Sequence, residues 1–314
     1  MNNSKYFVLI TSLLLIFSVN IFAVDIEAEI QEKYQKKLSY KLDVYNRTLQ
    51  FIKDNPNSHG LATLYYNLAE MSTEINVNDP KLSVEYFQNV LKYDSEFDKK
   101  DAVLYNLGYY STESQIGKRD ISRQNNIDLA INWPDSLRVN EENLNLAIDS
   151  YETIRREFPN SAYFSEATYR LGNLYFEIAI DARIPREYFD KAISYYDDLA
   201  NKEDDPLQYH GIFQRGWAYF ASARFEEAIE QFTTVLQIIE ADSAHTFKAF
   251  FEADAVENIA YSLIEYDGTD FEKYSHAAAK AVNIFQNYVN DEYVKDIIFN
   301  AVDLKLLYNA PMQA

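Results

Sequence analysis

Four histidines, no cysteine and 49 carboxylates are the groups from which this chain could build chemistry, and their spacing builds none. His59, His210, His245 and His276 are scattered, without an HExxH or another metal-spaced pair. The lack of cysteine excludes a disulfide framework, Cys-based zinc sites and a thiol nucleophile. No G-x-S-x-G elbow is present. Gly211 and Gly216 stand at the spacing of a phosphate loop, but Trp217-Ala218 follow where Lys and Ser/Thr are needed. Asp94, Glu96 and Asp98 alternate as in a calcium loop, yet Lys99 occupies the glycine place and Tyr105 that of the bidentate Glu. In so acidic a chain carboxylate pairs arise by chance. The sequence therefore predicts no catalytic residue, no cofactor and no metal. What remains is contact chemistry: 26 Tyr, 20 Phe and two Trp, many at helical spacing.

The clearest element to position such residues is the stretch 208–239. Ile212, Phe213, Trp217, Phe220 and Ala221 recur at helical spacing. After Ser222-Ala223-Arg224 the pattern restarts with Phe225, Ala228, Ile229, Phe232, Val235 and Leu236. This reads as two helices and a tight turn. Gly216, inside the first helix, costs roughly 1 kcal/mol against Ala. It predicts a close approach of the second helix, with Ala228 as its small counterpart.

Looser copies surround this unit. The segments 54–71 and 157–175 both carry Pro-Asn-Ser, then ten residues, then a small residue, Ala69 in one and Gly172 in the other. The motif stops one helix, and its Ser is placed to cap the next. Gly108 and Ala260 supply two further anchors. Each anchor is followed by a small residue and, four later, an aromatic: Ser83 and Phe87, Ala147 and Tyr151, Ala192 and Tyr196, Ala281 and Phe285. Self-similarity at this period predicts a solenoid of about five helix pairs. With seven Gly, seven Pro and little β-strand alternation, the expected class is all-α.

In residue type and spacing, Gly216, Tyr219, Ala228 and Phe232 resemble the tetratricopeptide repeat signature. The match departs from the family at Arg215, where Leu is usual, and at Glu240, where Pro is usual. The resemblance implies a right-handed solenoid of helical hairpins whose first helices line a concave, peptide-holding face. Carried onto this sequence, that face takes Tyr66 from the first pair, Tyr105 and Tyr109 from the second, and Tyr169, Asn173 and Phe176 from the third. Phe213, Trp217 and Phe220 come from the fourth pair and Tyr261 from the fifth. An Asn at the place of Asn173 often holds a ligand backbone in such repeats. Aromatics at this spacing also serve as packing between successive repeats, so both roles stay open for each.

The ends and the insertions complete the organisation. Lys5 precedes an uncharged apolar run, Tyr6 to Val24, that ends in Ile21-Phe22-Ala23 before Asp25. This predicts a secretory signal peptide over 1–23, with an uncleaved anchor as the other reading. No Cys follows the run, so a lipoprotein anchor is excluded and the expected compartment is a bacterial periplasm. Removing 1–23 takes away one Lys and makes the net charge of −20 one unit more negative. Such a surface repels nucleic acid and anionic lipid, so membrane association is expected only through a partner. Residues 24–55 are expected to form one or two capping helices, and 56–314 the solenoid. The repeat is interrupted by a polar insertion at 111–138, where Trp133 beside Pro134 is a possible docking anchor. The final residues 308–314 look like the turn of a further repeat, as if the pattern broke off inside it.

The repeats resemble the tetratricopeptide proteins of the bacterial envelope, of the β-barrel assembly and Tol-Pal coordinator types. The resemblance implies a non-catalytic scaffold that holds a peptide or an envelope-assembly protein. Two other readings stay open. The repeats could be the docking arm of an enzyme or carbohydrate-binding protein whose active domain lies beyond residue 314. They could also be a subunit of an envelope filament or gliding apparatus.

Overall fold

In the computed structural model the backbone is described for residues 3–75, 80–125, 141–182, 186–241, 248–267 and 293–301. Side chains are described for 26–75, 80–112, 142–180, 187–241, 251–265 and 293–301. Among the described residues the chain is all helix, with no strand. The helices are α1 (Asn3–Asp54), α2 (Leu61–Ile75), α3 (Lys81–Tyr93), α4 (Lys100–Asn125) and α5 (Glu141–Glu157). They continue with α6 (Phe164–Ala182), α7 (Arg186–Ala200), α8 (Gln208–Ala221), α9 (Phe225–Ala241), α10 (Lys248–Asp267) and α11 (293–301). The chain divides into two compact units, residues 1–147 and 148–314.

The stops fall where the sequence places them. α1 ends just before Asn55-Pro56 and α5 just before Phe158-Pro159, since a residue before Pro is pushed out of the helical region. Ser161 Oγ accepts the Tyr163 N–H at 3.1 Å, a local turn one step before α6 begins. Ser58 donates to the His59 carbonyl, and Gly60, with φ +83°, makes the bend into α2. Between α8 and α9 the Arg224 N–H reaches the Tyr219 carbonyl at 2.8 Å and the Ala223 N–H that of Phe220 at 3.0 Å. This is a Schellman closure, with Ala223 at φ 58° in the place usually held by Gly.

In the first unit α1 packs on α2, α2 on α3 and α3 on α4. Its core gathers Tyr45, Ile52, Leu68, Phe87, Val90 and Leu107. Phe97, in the acidic linker between α3 and α4, is buried with them; its position in a charged stretch hid it from a periodicity reading. Tyr45 and Tyr86 share a buried hydroxyl bond of 2.7 Å, and Ser72 and Ser83 share one of 2.8 Å. Ser83, the small residue that departs from Ala, is thus satisfied from α2.

In the second unit α6 to α10 pack in sequence, and α6 also touches α8 as α8 touches α10. The first helices of successive pairs therefore lie beside one another. Phe87, Tyr151, Tyr196 and Phe232, the aromatics expected four residues after the small anchors, are all sealed from solvent at 0% exposure. Ala147, Ala192 and Ala228 are equally sealed. The glycines show why. A Cβ on Gly172 would meet the Tyr196 ring at 2.5 Å, and one on Gly216 would meet the Phe232 ring at 2.9 Å. The small residue of the first helix thus seats the aromatic of the second, with Gln231 also against Gly216.

The expected insertion at 111–138 begins within α4. Ser111 and Thr112 are buried, and α4 continues without a break to Asn125. Trp133 and the fifth-pair residues Ala281 and Phe285 lie outside the described residues, as do 308–314 and the side chains of the expected leader. Residues 24–54 form the C-terminal part of one continuous helix. Among the described residues no helix is long and apolar enough to cross a membrane.

Candidate partner-binding faces

The expected face residues lie on α2 and α4 in the first unit. Tyr66 is half-buried, edge-on to Phe87 and tilted on Phe97, with the Lys99 ammonium 5.0 Å above its ring. Tyr105 and Tyr109, one turn apart on α4, stack at 6.4 Å, and Tyr109 meets Tyr110 edge-on at 5.0 Å. Tyr110 in turn stacks on the sealed Phe87. Half-covered tyrosines therefore lie directly over the core, held by ring contacts below and partly open above.

In the second unit the face is carried by α6, α8 and α10. Tyr169 tilts onto Tyr196 and receives a hydrogen bond from Gln214 Nε2 at 3.4 Å. Asn173 Oδ1 accepts the Tyr196 hydroxyl at 2.8 Å. That bond satisfies a phenol which burial pushes far above its usual range, and it uses the carbonyl side of the Asn amide. Oδ1 keeps a second lone pair, and the two Nδ2 donors take no part in that bond. Phe176 packs edge-on against Phe189. Trp217 is perpendicular to both Phe220 and Phe232, and Phe220 to Phe225. All four of Tyr169, Phe176, Trp217 and Phe220 are half-buried, as is Tyr261 on α10.

Phe213 does not belong with them. It is 6% exposed, wedged between Phe232 and Phe251 in the core of the second unit. It lies one turn before Trp217, too deep between α8 and its neighbours to face a ligand.

Three features were not visible in the spacing. Arg215, where the repeat family has Leu, binds Gln231 through Nε at 2.9 Å and pairs with Asp197, so one guanidinium ties α8 to both α9 and α7. His210 lies edge-on to Tyr169 and Phe251, with Nδ1 buried and unpartnered. Desolvation lowers its pKa, against a smaller upward pull from Glu166. A second tyrosine cluster lies between α6 and α7: Tyr175 stacks on Tyr195 at 5.5 Å and on Tyr188 at 6.4 Å, with Lys191 over both Tyr175 and Tyr188. Burial first, then a hydrogen bond to Glu152, pushes the Tyr195 phenol up. Arg155 covers the same ring at 4.7 Å and pairs with Asp198. Only the identity of the partners across helices distinguishes this bracing from a site, and a single sequence does not display it.

Among the described residues no group of His, Asp or Glu is gathered as metal ligands. Asp205, the one buried carboxylate among the described residues, is held down as an ion against its desolvation by the Ser165 hydroxyl, the Leu207 N–H and Lys202. It ties the 201–207 loop to the start of α6, a structural task. No family model matches the chain, and no curated protein compared with it matches either.

Proposed function

We propose that this chain is an exported, non-catalytic interaction scaffold of the bacterial periplasm. In this reading its helix pairs form a right-handed, tetratricopeptide-like solenoid, and the first helices hold a peptide segment of an envelope protein. The observation that carries the reading is a contrast between the aromatics seated on the first-helix glycines and those flanking these glycines. The second-helix aromatics Tyr196 and Phe232 are wholly sealed, while Tyr169, Trp217 and Phe220 on the first helices are only half covered. Half-covered Tyr and Trp offer large contact area with a polar tip, which suits an extended or helical peptide. α6 touches α8 and α8 touches α10, and Gln214 of α8 reaches the Tyr169 hydroxyl of α6, which supports the reading.

The test is a cross-linked capture from envelope extract with the wild type and with Tyr169→Ala/Trp217→Ala/Phe220→Ala. The expected result is an envelope protein retained by the wild type and lost from the variant, with helical circular dichroism kept. Equal capture by both proteins would overturn the assignment of the face.

A further inference from the structure

α1 does two things along its length. Its C-terminal part belongs to the core of the first unit, with Tyr45 and Ile52 only 7% and 8% exposed. The ion pair between Lys41 and Glu74 marks the level at which α2 ends. Towards the N-terminus α1 runs on past that level, and the same stripe of side chains continues uncovered: Ile26, Ile30 and Tyr34 are 49%, 59% and 55% exposed. From Ile30 the stripe steps through Tyr34, Leu38, Lys41, Tyr45, Leu49 and Ile52 at intervals of four, four and three. That eleven-residue period nearly matches a straight helix, so exposed and buried residues share one face. The stripe is thus a packing interface of which one half is covered by α2 and α3 and the other by none of the described residues.

The charges on this projecting segment are sorted. Glu27, Glu29 and Glu32 come first, and Lys33, Lys36, Lys37 and Lys41 follow without an intervening acid. Turned end for end, the segment is complementary to itself. Superposing it antiparallel about Glu32 sets Ile30 against Tyr34, Ile26 against Leu38, and Glu27 against Lys37, each twice by symmetry. A parallel pair in register would set Glu27 against Glu27 and Lys37 against Lys37. The antiparallel pair also sends the two folded bodies to opposite ends.

We propose that α1 from Ile26 to Leu38 is a dimerisation arm that pairs antiparallel with the same segment of a second copy. The occupant of the open stripe is then this chain itself, in a closed two-fold dimer rather than a filament. The pairing does not depend on the aromatic faces, but it requires that residues 1–23 not hold both copies in one membrane with their arms parallel.

The natural chain has no cysteine, which makes the test direct. Ile26→Cys and Leu38→Cys are made separately in the full chain, recovered after expression with export, and oxidised alone and mixed. The expected result is a disulfide-linked dimer in the mixture and none from either variant alone. Cross-linking of each variant with itself would show a parallel pair and overturn the proposal, as would a monomeric mass at every concentration in sedimentation, which leaves the stripe to a different protein. Glu27→Lys should weaken the dimer about tenfold by turning two attractions into repulsions. Adding Lys37→Glu should restore it, which a parallel arrangement cannot do. Both positions are exposed on a helix, so folding is unaffected and circular dichroism verifies it.

Discussion

Trp217 and Phe232 touch, ring to ring at 6.2 Å, yet one is half open and the other sealed. The difference is their place in the helix pair. Phe232, on the second helix, enters the space left by Gly216 and is closed over by both helices of its own pair and by the next. Trp217, one residue beyond that glycine, lies on the flank of the same contact. Two large aromatics at helical spacing thus have opposite duties, and the residue lacking a side chain decides which is which. The lesson is that the small residue, more than the aromatic, marks the core.

Truncating each ring in turn separates the two positions most widely. Phe232→Ala should cost about 3–5 kcal/mol and leave the second unit poorly folded, whereas Trp217→Ala should cost about 1–2 kcal/mol and leave it folded. Urea titration of the two variants measures the gap. Equal losses would mean that Trp217 is as much core as Phe232.

The glycines sharpen it. Gly172→Ala brings a methyl to 2.5 Å from a Tyr196 ring that is sealed and tied to Asn173, so nothing can yield. The overpacking outweighs the helix propensity gained, for a net loss of about 1–2 kcal/mol. Gly216→Ala meets Phe232 at 2.9 Å and Gln231 at 3.2 Å and should lose less. Thermal melts should rank Gly172→Ala below Gly216→Ala and both below wild type. Ala223→Gly should go the other way and stabilise by about 1 kcal/mol, because it removes a Cβ from a left-handed position. An unchanged melting temperature would contradict the Schellman closure there.

The smallest effect is on pH. The folded state holds His210 below its ordinary value of 6.5, chiefly by desolvation. The unfolded chain therefore takes up the proton first as pH falls. The stability His210 contributes is whole above 6.5 and declines as pH drops from there towards the folded value. His210→Gln should flatten that part of the stability profile, and chemical denaturation at a series of pH values reads it. An unaltered slope would place His210 in a wetter site than the rings of Tyr169 and Phe251 provide.

Much of this was legible beforehand for a physical reason. Small anchors, the aromatics four residues after the second-helix small residues, and Pro-bearing stops follow from local geometry, so helix pairs and the sealed Phe87, Tyr151, Tyr196 and Phe232 could be read along the chain. The face could be read less well. Phe213 and Trp217 are one turn apart and look alike in sequence, and the first is buried by Phe232 and Phe251, which arrive from α9 and α10. Asn173 and Arg215 likewise have duties set by Tyr196, Gln231 and Asp197, residues on other helices. The uncovered stripe of α1 escaped because a periodic pattern shows which residues share a face but not where the covering helix stops.

The nearest-neighbour packing of α6 to α10 has a consequence for how the chain comes to be folded. Every substantial contact among these helices joins elements at most two apart in sequence. Loop closure then costs little entropy, and no early helix waits for a distant one to complete its core. A chain emerging end first from a narrow exit could settle pair upon pair as each becomes long enough, with the previous pair as its template. Damage at one pair would stay local, loosening its neighbours while leaving the rest standing.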